Sequence, residues 1–397
     1  MTQGRKFKNR FVEKKEGVIG PVPPQPRTVI RKSIGDYPGT PQAYLDIAEN
    51  YASRKLRGPG ICDELMELMQ HLFTEEEASL CRHIKPAVMD MTAGRIAELE
   101  HRSEEEVRKI LNHLAYEKRI LMAMGRGEQK VYFAIPIVPG MFETILVRQS
   151  MDSLTPWHRR FAELFEALFD TGATVSSKKS TRDPIVRYLP LGETIESSKV
   201  ALPSDKLEAI FEPYKIFAVG LCQCRLAEEI MGRACGRPME NCSAMGRLAE
   251  AEIKSGRMRP VEMKELLDIK LEAEAAGLVS WSFNIDADAA SNTSCSCCGC
   301  CCHYMRTVNQ FSMPSTITPP HFIPLRDENK CINCGKCALA CPMGAITVGV
   351  KAKTYQYASE RCIGCGQCVV ACTKQQALTM EAVPDYQAPK NTTFSLI

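Results

Sequence analysis

The feature that most constrains this chain is a cysteine cassette that occurs twice near its C-terminus. The copies read CINCGKCALACP at residues 331–342 and CIGCGQCVVACT at residues 362–373. Cysteines at i, i+3 and i+6 let one tight loop direct three thiolates at a single inorganic cluster, and a fourth ligand must come from a separate backbone position. Gly335, Gly364 and Gly366 suit such a loop because glycine tolerates positive φ and close backbone approach. The cassettes therefore predict two metal clusters held by thiolates.

Zinc and disulfide bonds are the alternatives for these eight cysteines. CxxC pairs also bind Zn²⁺ in closed tetrahedra, but two complete CxxCxxCxxxC runs favour iron–sulfur clusters. The chain has 20 cysteines, and no apolar segment follows the basic residues Lys6, Lys8 and Arg10 to form an export signal. Disulfides are rare in the reducing cytosol, so the cysteines indicate metal or redox work in a cytoplasmic protein. Oxygen-sensitive clusters would suit an anaerobe or facultative anaerobe.

The cassettes resemble the bacterial-type ferredoxins that bind two [4Fe-4S] clusters. The match is complete except that Thr373 stands where the first copy has Pro342. In that family the fourth cysteine of each cassette serves the cluster of the other. The resemblance therefore implies two crossed ligand sets, one of Cys331, Cys334, Cys337 and Cys372, and one of Cys362, Cys365, Cys368 and Cys341.

Length and charge exclude several classes of protein. At 397 residues, the chain has room for two to four domains. Its net charge of +3 provides no general attraction to nucleic acid or anionic lipid. No run of about 18 apolar residues is present, so no transmembrane helix is predicted.

The N-terminal third divides into an arm and a helical domain. Residues 1–41 are rich in proline and predict an extended arm, with a flexible tail as the alternative. Within residues 42–150, Thr74 and Ser103 are predicted helix caps, and a hairpin is expected near 120–135. This order resembles a winged helix, but the three glutamates 104–106 at the start of the third helix would repel DNA. We therefore expect a docking or structural role and no nucleic-acid partner.

Residues 151–310 are expected to form a helical, cysteine-rich domain. An aromatic stripe predicts an amphipathic helix over 155–170, and a linker or exposed loop is predicted over 171–180. Further helices are predicted near 205–216 and 261–276, followed by a strand at 277–281. Cys62 and Cys81, which lie earlier in the chain, are expected to be buried free thiols.

A second group of cysteines lies in this central domain. Ten thiols are more than one cluster can bind. The run CSCCGCCCH at 295–303 is suited to supplying ligands to two nearby sites. At least one further [4Fe-4S] cluster is expected here, and two are favoured. Structural zinc is the alternative. The sequence does not decide which cysteines bind the same metal centre. Arg225 and His303 are expected to influence a cluster through charge or hydrogen bonds to sulfur. The candidate ligands are Cys222, Cys224, Cys235, Cys242, Cys295, Cys297, Cys298, Cys300 and Cys301.

The order CxCR at 222–225, Asn284 and then CxCCxCC resembles a group of large ferredoxin-like electron-transfer proteins of anaerobic bacteria and archaea. The stretch Pro139 to Glu143 belongs to the same resemblance. It covers the chain from about residue 70 onward and implies varied redox partners.

Together these features predict an α+β protein whose residues 311–385 form a two-cluster ferredoxin domain, followed by a tail at 386–397. No phosphate-binding glycine loop or catalytic triad is present, so the sequence does not predict an enzyme acting on its own. We expect a polyferredoxin-like electron carrier, or the electron-transfer subunit of an anaerobic oxidoreductase complex. The alternatives are a redox-sensing transcription regulator and a catalytic cluster with an open iron site.

Overall fold

The computed structural model describes residues 9–175, 186–284, 290–313 and 317–387. Residues 388–397 of the predicted tail and half of the predicted linker at 171–180 lie outside these ranges. The chain forms two compact units, and each is described by itself. The first unit comprises residues 1–25, 148–151 and 181–397, and the second comprises residues 26–147 and 152–180.

Helices and strands both contribute, as the predicted α+β class requires. The strands are β1 (Val12–Lys15), β2 (Val18–Pro21), β3 (Met91–Thr92), β4 (Leu121–Met124), β5 (Val131–Ala134), β6 (Val186–Tyr188), β7 (Phe217–Leu221), β8 (Glu240–Gly246), β9 (Arg259–Val261), β10 (Val279–Phe283), β11 (Ser291–Cys297), β12 (Phe322–Arg326), β13 (Ile346–Gly349), β14 (Thr354–Tyr357) and β15 (Leu378–Ala382). The α-helices are α1 (Gln42–Ala52), α2 (Asp63–Leu72), α3 (Glu75–Cys81), α4 (Ala93–Glu100), α5 (Glu104–Asn112), α6 (Phe142–Leu146), α7 (Pro156–Asp170), α8 (Gly192–Ile195), α9 (Leu207–Phe211), α10 (Gln223–Ile230), α11 (Arg247–Lys254), α12 (Met263–Ala275), α13 (His303–Phe311), α14 (Lys336–Ala340) and α15 (Gln367–Val370).

In the described part of the second unit, helices α1 to α7 pack with a three-stranded sheet of order β3-β5-β4. Helix α3 starts as predicted, because Thr74 and Glu77 exchange hydrogen bonds in a capping box. The aromatic stripe of α7 is buried, and the Phe165 ring stacks on Phe142 at 4.2 Å between centroids. Helix α7, which the sequence analysis assigned to the central domain, therefore belongs to the core of this unit.

The central part of the first unit is built on a six-stranded antiparallel sheet of order β6-β10-β11-β8-β7-β9. The sequence analysis predicted only one of these strands, β10, in a region expected to be helical. The Ser291–Cys297 segment, SNTSCSC, lacks the apolar alternation by which a strand is recognised. Its serine and cysteine side chains are nevertheless mostly buried, since neighbouring elements cover the sheet. The predicted helix near 205–216 is limited to α9.

The cassettes lie between two smaller sheets of the same unit. Strand β12 pairs with β15, and the other sheet has the order β1-β2-β13-β14. The β1–β2 hairpin falls inside the segment predicted as a proline-rich arm, and Ile19 pairs with Val348 of β13. The N-terminus thus completes the sheet beside the first cassette. Within the described ranges, no helix is long and apolar enough to cross a bilayer.

Candidate metal centres

The first cassette site is a pocket, partly open to solvent, that is lined by Cys331, Cys334, Cys337 and Cys372. Gly335 adopts φ +77° before helix α14, and a Cβ there would lie 2.4 Å from the Ile19 side chain. Glycine suits this position, because another residue would be strained at this φ and would displace the Ile19 side chain. The remaining lining is largely apolar, and it includes Val348 and Leu378.

The second cassette site is a pocket lined by Cys341, Cys362, Cys365 and Cys368. Gly364 has φ +67°, and a Cβ there would meet the Phe322 carbonyl at 2.4 Å. The backbone N–H of Ala345 donates a hydrogen bond to the Cys341 sulfur at 3.2 Å. Each cavity thus receives three thiols from one cassette and one from the other, which is the crossed grouping that the resemblance implied.

The two cassette sites differ in exposure. Cys334 is exposed, whereas Cys341, Cys365 and Cys368 are buried. Burial raises the pKa of the Cys365 thiol above its usual range, and it raises the pKa of Cys337 to about 12. Such thiols stay protonated at neutral pH unless a cation binds them. Four converging thiols in a largely apolar pocket therefore fit an iron–sulfur cluster.

In the central region, Cys235, Cys298, Cys300 and Cys301 form what we call the compact thiol group. Their four sulfur atoms all lie within 4.8 Å of one another, and no other group of metal-ligating side chains in the described ranges is so close. The Cys235 and Cys298 sulfurs are 4.0 Å apart, and those of Cys300 and Cys301 are 3.7 Å apart. Hydrogen bonds from Cys235, Cys300 and Cys301 lower the pKa of Cys298 well below its ordinary value. The four sulfur atoms therefore converge on a single site.

Cys302 is the centre of another group, which we call the Cys302 thiol group. Hydrogen bonds from Cys224 and Cys297 lower the pKa of the Cys302 thiol, and Cys224 also hydrogen-bonds Cys222. The Tyr188 hydroxyl lies 3.5 Å from the Cys302 sulfur, and His303 Nδ1 lies 3.4 Å from that of Cys224. Its members are Cys222, Cys224, Cys297 and Cys302.

Sequence reasoning left Cys302 out of the candidate ligands. The only signal was its place as the last cysteine of the run, directly before His303. The backbone conformation at Cys302 decides which way its side chain points. Helix α13 begins at His303 with Cys302 as its N-cap, and this turns Cys302 away from Cys300 and Cys301.

The remaining predicted ligands, Cys242 and Cys295, form a pair between strands β8 and β11. Their sulfurs are 3.7 Å apart, and both are buried. The fully buried Lys270 amino group donates hydrogen bonds to the carbonyls of Asn241 and Ser294, the residues preceding the two cysteines. Burial lowers the pKa of Lys270. The pair lies near the Cys302 thiol group, because Cys295 interacts electrostatically with Cys222 and Cys297.

Arg225 lies beneath the central cysteines, where it is 3% exposed. Its guanidinium donates to the Ser296 carbonyl at 2.9 Å and to the Asn241 side chain. Neighbouring thiols, including Cys222 and Cys298, interact electrostatically with this cation. The position is that of a fixed positive charge beside the ligands, in agreement with the influence proposed for Arg225 from the sequence.

The central cysteine run touches the end of the first cassette, next to the cysteine that this cassette contributes to the second cassette site. A Cβ on Gly299 would lie 1.9 Å from the Pro342 carbonyl oxygen, so the two backbones are in direct contact. Asn309, which is 1% exposed, donates to the carbonyls of both Gly299 and Pro342, at 2.9 and 2.8 Å. Because Pro342 follows Cys341, the compact thiol group and the second cassette site are neighbours.

Comparison with known proteins supports the assignment of the cassettes. A family model described as a 4Fe-4S dicluster domain matches residues 330–377. No curated protein and no solved structure matches the chain. With this match and the clustered thiols, the chain is an iron–sulfur protein that binds [4Fe-4S] clusters, and its role is electron transfer.

Proposed function

We propose that this chain is a multi-centre electron relay, either a polyferredoxin-like carrier or the electron-transfer subunit of an anaerobic oxidoreductase complex. The observation that carries the proposal is the contact between Gly299 and Pro342. It sets the second cassette site against the central thiols, whereas the first cassette site opens to solvent through Cys334. A line of sites with one exposed end is suited to moving electrons between a surface and an interior.

In this proposal the crossed ligand sets of the cassettes each hold one [4Fe-4S] cluster. When bound, such a cluster accepts and releases single electrons at a potential set by its surroundings. The chain keeps the sulfurs in place through its glycine turns and through hydrogen bonds such as that from Ala345 N–H to Cys341. Burial of Cys365 and Cys368 keeps water away from the second site.

The Cys302 thiol group is our candidate for a third [4Fe-4S] site. Its four thiols come from both ends of the central region, two from the start of α10 and two from the run before α13. Arg225 provides positive charge on one side, and Tyr188 places a hydroxyl near Cys302. Positive charge and donors to sulfur favour the reduced, more negative state of a cluster.

The rim around Cys334 is the proposed docking face for a redox protein. Ile332 and Leu339 are each 53% exposed there. Lysines 330, 336 and 353 are exposed in the same segments, and the Lys353 amino group donates a hydrogen bond to the Ile332 carbonyl. An apolar centre with a basic rim fits a partner that carries an acidic surface around its own redox group.

The second unit is proposed as a docking or structural module. Its helices α3 to α5 and its three strands follow the order of a winged helix, and its sheet order β3-β5-β4 agrees with that resemblance. The side chains of Glu105 and Glu106 are exposed at the start of α5. Carboxylates at this helix end would repel phosphates, so the regulator alternative requires DNA contacts elsewhere.

Ligand substitutions test the crossed assignment. We expect Cys372→Ser to alter the EPR signal of the exposed cluster and Cys341→Ser to alter that of the buried one, each with a loss of about four iron and four sulfide ions. Cys81→Ser is the control, because Cys81 is a buried thiol of the second unit. Retention of all iron in both ligand variants would overturn the assignment.

The relay itself is tested on the intact protein. Stepwise anaerobic reduction should proceed in one-electron steps, and the fully reduced protein should show spin coupling between neighbouring clusters. Electrons supplied at the surface should reach the buried centres without a substrate. Sequence-specific DNA binding that changes on cluster oxidation would replace the relay with the regulator.

A further inference from the structure

The compact thiol group differs from the other cysteine sites in its sulfur spacing. In both cassette sites the thiols line a pocket, and their four sulfurs do not all lie within 4.8 Å of one another. In the compact group the thiols contact one another, with sulfur–sulfur distances of 3.7 and 4.0 Å and none above 4.8 Å. A cassette site can therefore hold a larger metal centre than the compact thiol group can.

These distances match the geometry of one metal ion. With a metal–sulfur bond of about 2.3 Å, the sulfurs of a regular tetrahedron are about 3.8 Å apart. A [4Fe-4S] cube binds its four thiolates through four separate iron atoms, so its thiolates lie much further apart. The cassette sites, which have room for a cube, are an internal reference for that wider spacing.

We propose that Cys235, Cys298, Cys300 and Cys301 bind a single tetrahedral ion, Zn²⁺ or iron, and not a cluster. Tetrahedral sites with four thiolates select these metals. The sequence analysis expected this set to contribute to a [4Fe-4S] cluster, with zinc as the alternative. The proposal goes beyond the relay and does not depend on it.

The surroundings fit a closed structural site. Cys298, Cys300 and Cys301 are buried, and they pack with Ala273 and Leu278 in one apolar cluster. The Arg237 guanidinium donates a hydrogen bond to the Cys300 sulfur at 3.6 Å. A site of M²⁺ and four thiolates has a net charge of −2, which this cation partly offsets. No position is left for water or substrate, as is typical of structural sites.

The ion would fasten the loop after α10 to the central cysteine run. Cys235 is the one ligand outside the run, and it lies in the segment between α10 and β8. Closing that segment onto residues 298–301 would hold the run against Pro342. The ion thereby supports the contact between the central region and Pro342, next to the second cassette site.

Metal and sulfide analysis of anaerobically purified protein tests the proposal. We expect Cys235→Ser to lose one zinc or one iron per chain and no acid-labile sulfide. Cys62→Ser is the matched control, since it removes a buried thiol from the second unit, and it should lose nothing. Loss of about four iron and four sulfide ions from Cys235→Ser would overturn the proposal, as would an unchanged metal content.

Spectroscopy of the unmodified protein gives a test that does not depend on folding of a variant. For zinc, X-ray absorption should show four sulfur neighbours at about 2.3 Å and no iron neighbour. For iron, the oxidised protein should show the high-spin ferric EPR signal of an isolated Fe(SCys)₄ centre. Absence of both signatures in protein whose clusters are intact would overturn the single-ion assignment.

Discussion

The carboxylate of Glu228 and the guanidinium of Arg306 lie 2.9 Å apart, and both side chains are fully buried. Arg10 and Arg233 bind the same carboxylate. Glu228 lies one helical turn after Cys224, and Arg306 lies one turn after Cys302. Three arginines around one glutamate leave a net positive charge in this ion-pair group. That charge lies near thiols that become negative thiolates when they bind a metal.

Glu228→Gln should strongly destabilise the first unit, because it leaves Arg306 buried without its charge partner. Loss of one member of a buried pair costs about 3–5 kcal/mol. The measurement is anaerobic urea unfolding of the cluster-loaded protein. Glu229→Gln, at the exposed next position of the same helix, should be near neutral. Equal effects of the two substitutions would contradict the structural role of this ion-pair group.

Gly299→Ala should separate the central run from the backbone beside the second cassette site, because the new Cβ would overlap the Pro342 carbonyl oxygen. Such overpacking costs about 1–3 kcal/mol, and it should also change the EPR signal of the cluster next to Cys341. The matched control is Gly192→Ala, where an added Cβ meets nothing within 4 Å. A variant at position 299 with wild-type stability and spectra would show that this contact is not required.

Arg225→Gln should lower the midpoint potential of a central centre, because removal of a buried positive charge disfavours the more reduced state. The shift should be on the order of tens of millivolts, well inside the range over which charge and hydrogen bonding tune clusters. A redox titration followed by EPR measures it. Arg225→Lys, which keeps the charge, should recover part of the shift, and Arg247→Gln at an exposed site should show none. An unchanged potential in Arg225→Gln would remove this residue from any tuning role.

Glu274→Gln should make the stability of the first unit less dependent on pH. Burial raises the pKa of Glu274 from 4.5 to about 7 in the folded protein. The folded protein therefore binds a proton more tightly than the unfolded chain does, and the free energy of unfolding falls as pH rises from about 4.5 to about 7. Glutamine does not titrate, so the free energy of unfolding of the variant should not fall in this way. Relative to wild type it should therefore rise by roughly 1–3 kcal/mol between pH 5 and pH 8.

Unfolding midpoints of wild type and variant at several pH values provide the measurement. Glu272→Gln, at an exposed position of the same helix, should follow the wild type. A constant difference between Glu274→Gln and wild type across this pH range would rule out titration of Glu274 as the cause.

Local features of the sequence were sufficient for several elements of the second unit. Thr74 with Glu77 marked the start of α3, and the aromatic stripe marked α7, because caps and amphipathic faces depend on residues within a few positions. The six-stranded sheet was missed for the opposite reason. Strand β11 carries serine and cysteine, and its burial results from elements far away in the chain.

The sequence by itself determined that two loops each direct three thiols inward, because residues 331–337 and 362–368 carry the ligand spacing and the glycine turns within seven positions. Only the tertiary structure decided which of the central cysteines lie together. Cys300 and Cys301 meet Cys235 across more than sixty residues of sequence, whereas the adjacent Cys302 turns toward Cys224. Sulfur–sulfur distance depends on strand register and helix starts, and those are set by packing of the whole unit. The kind of metal that a thiol group can hold therefore follows from the fold and not from the count of cysteines.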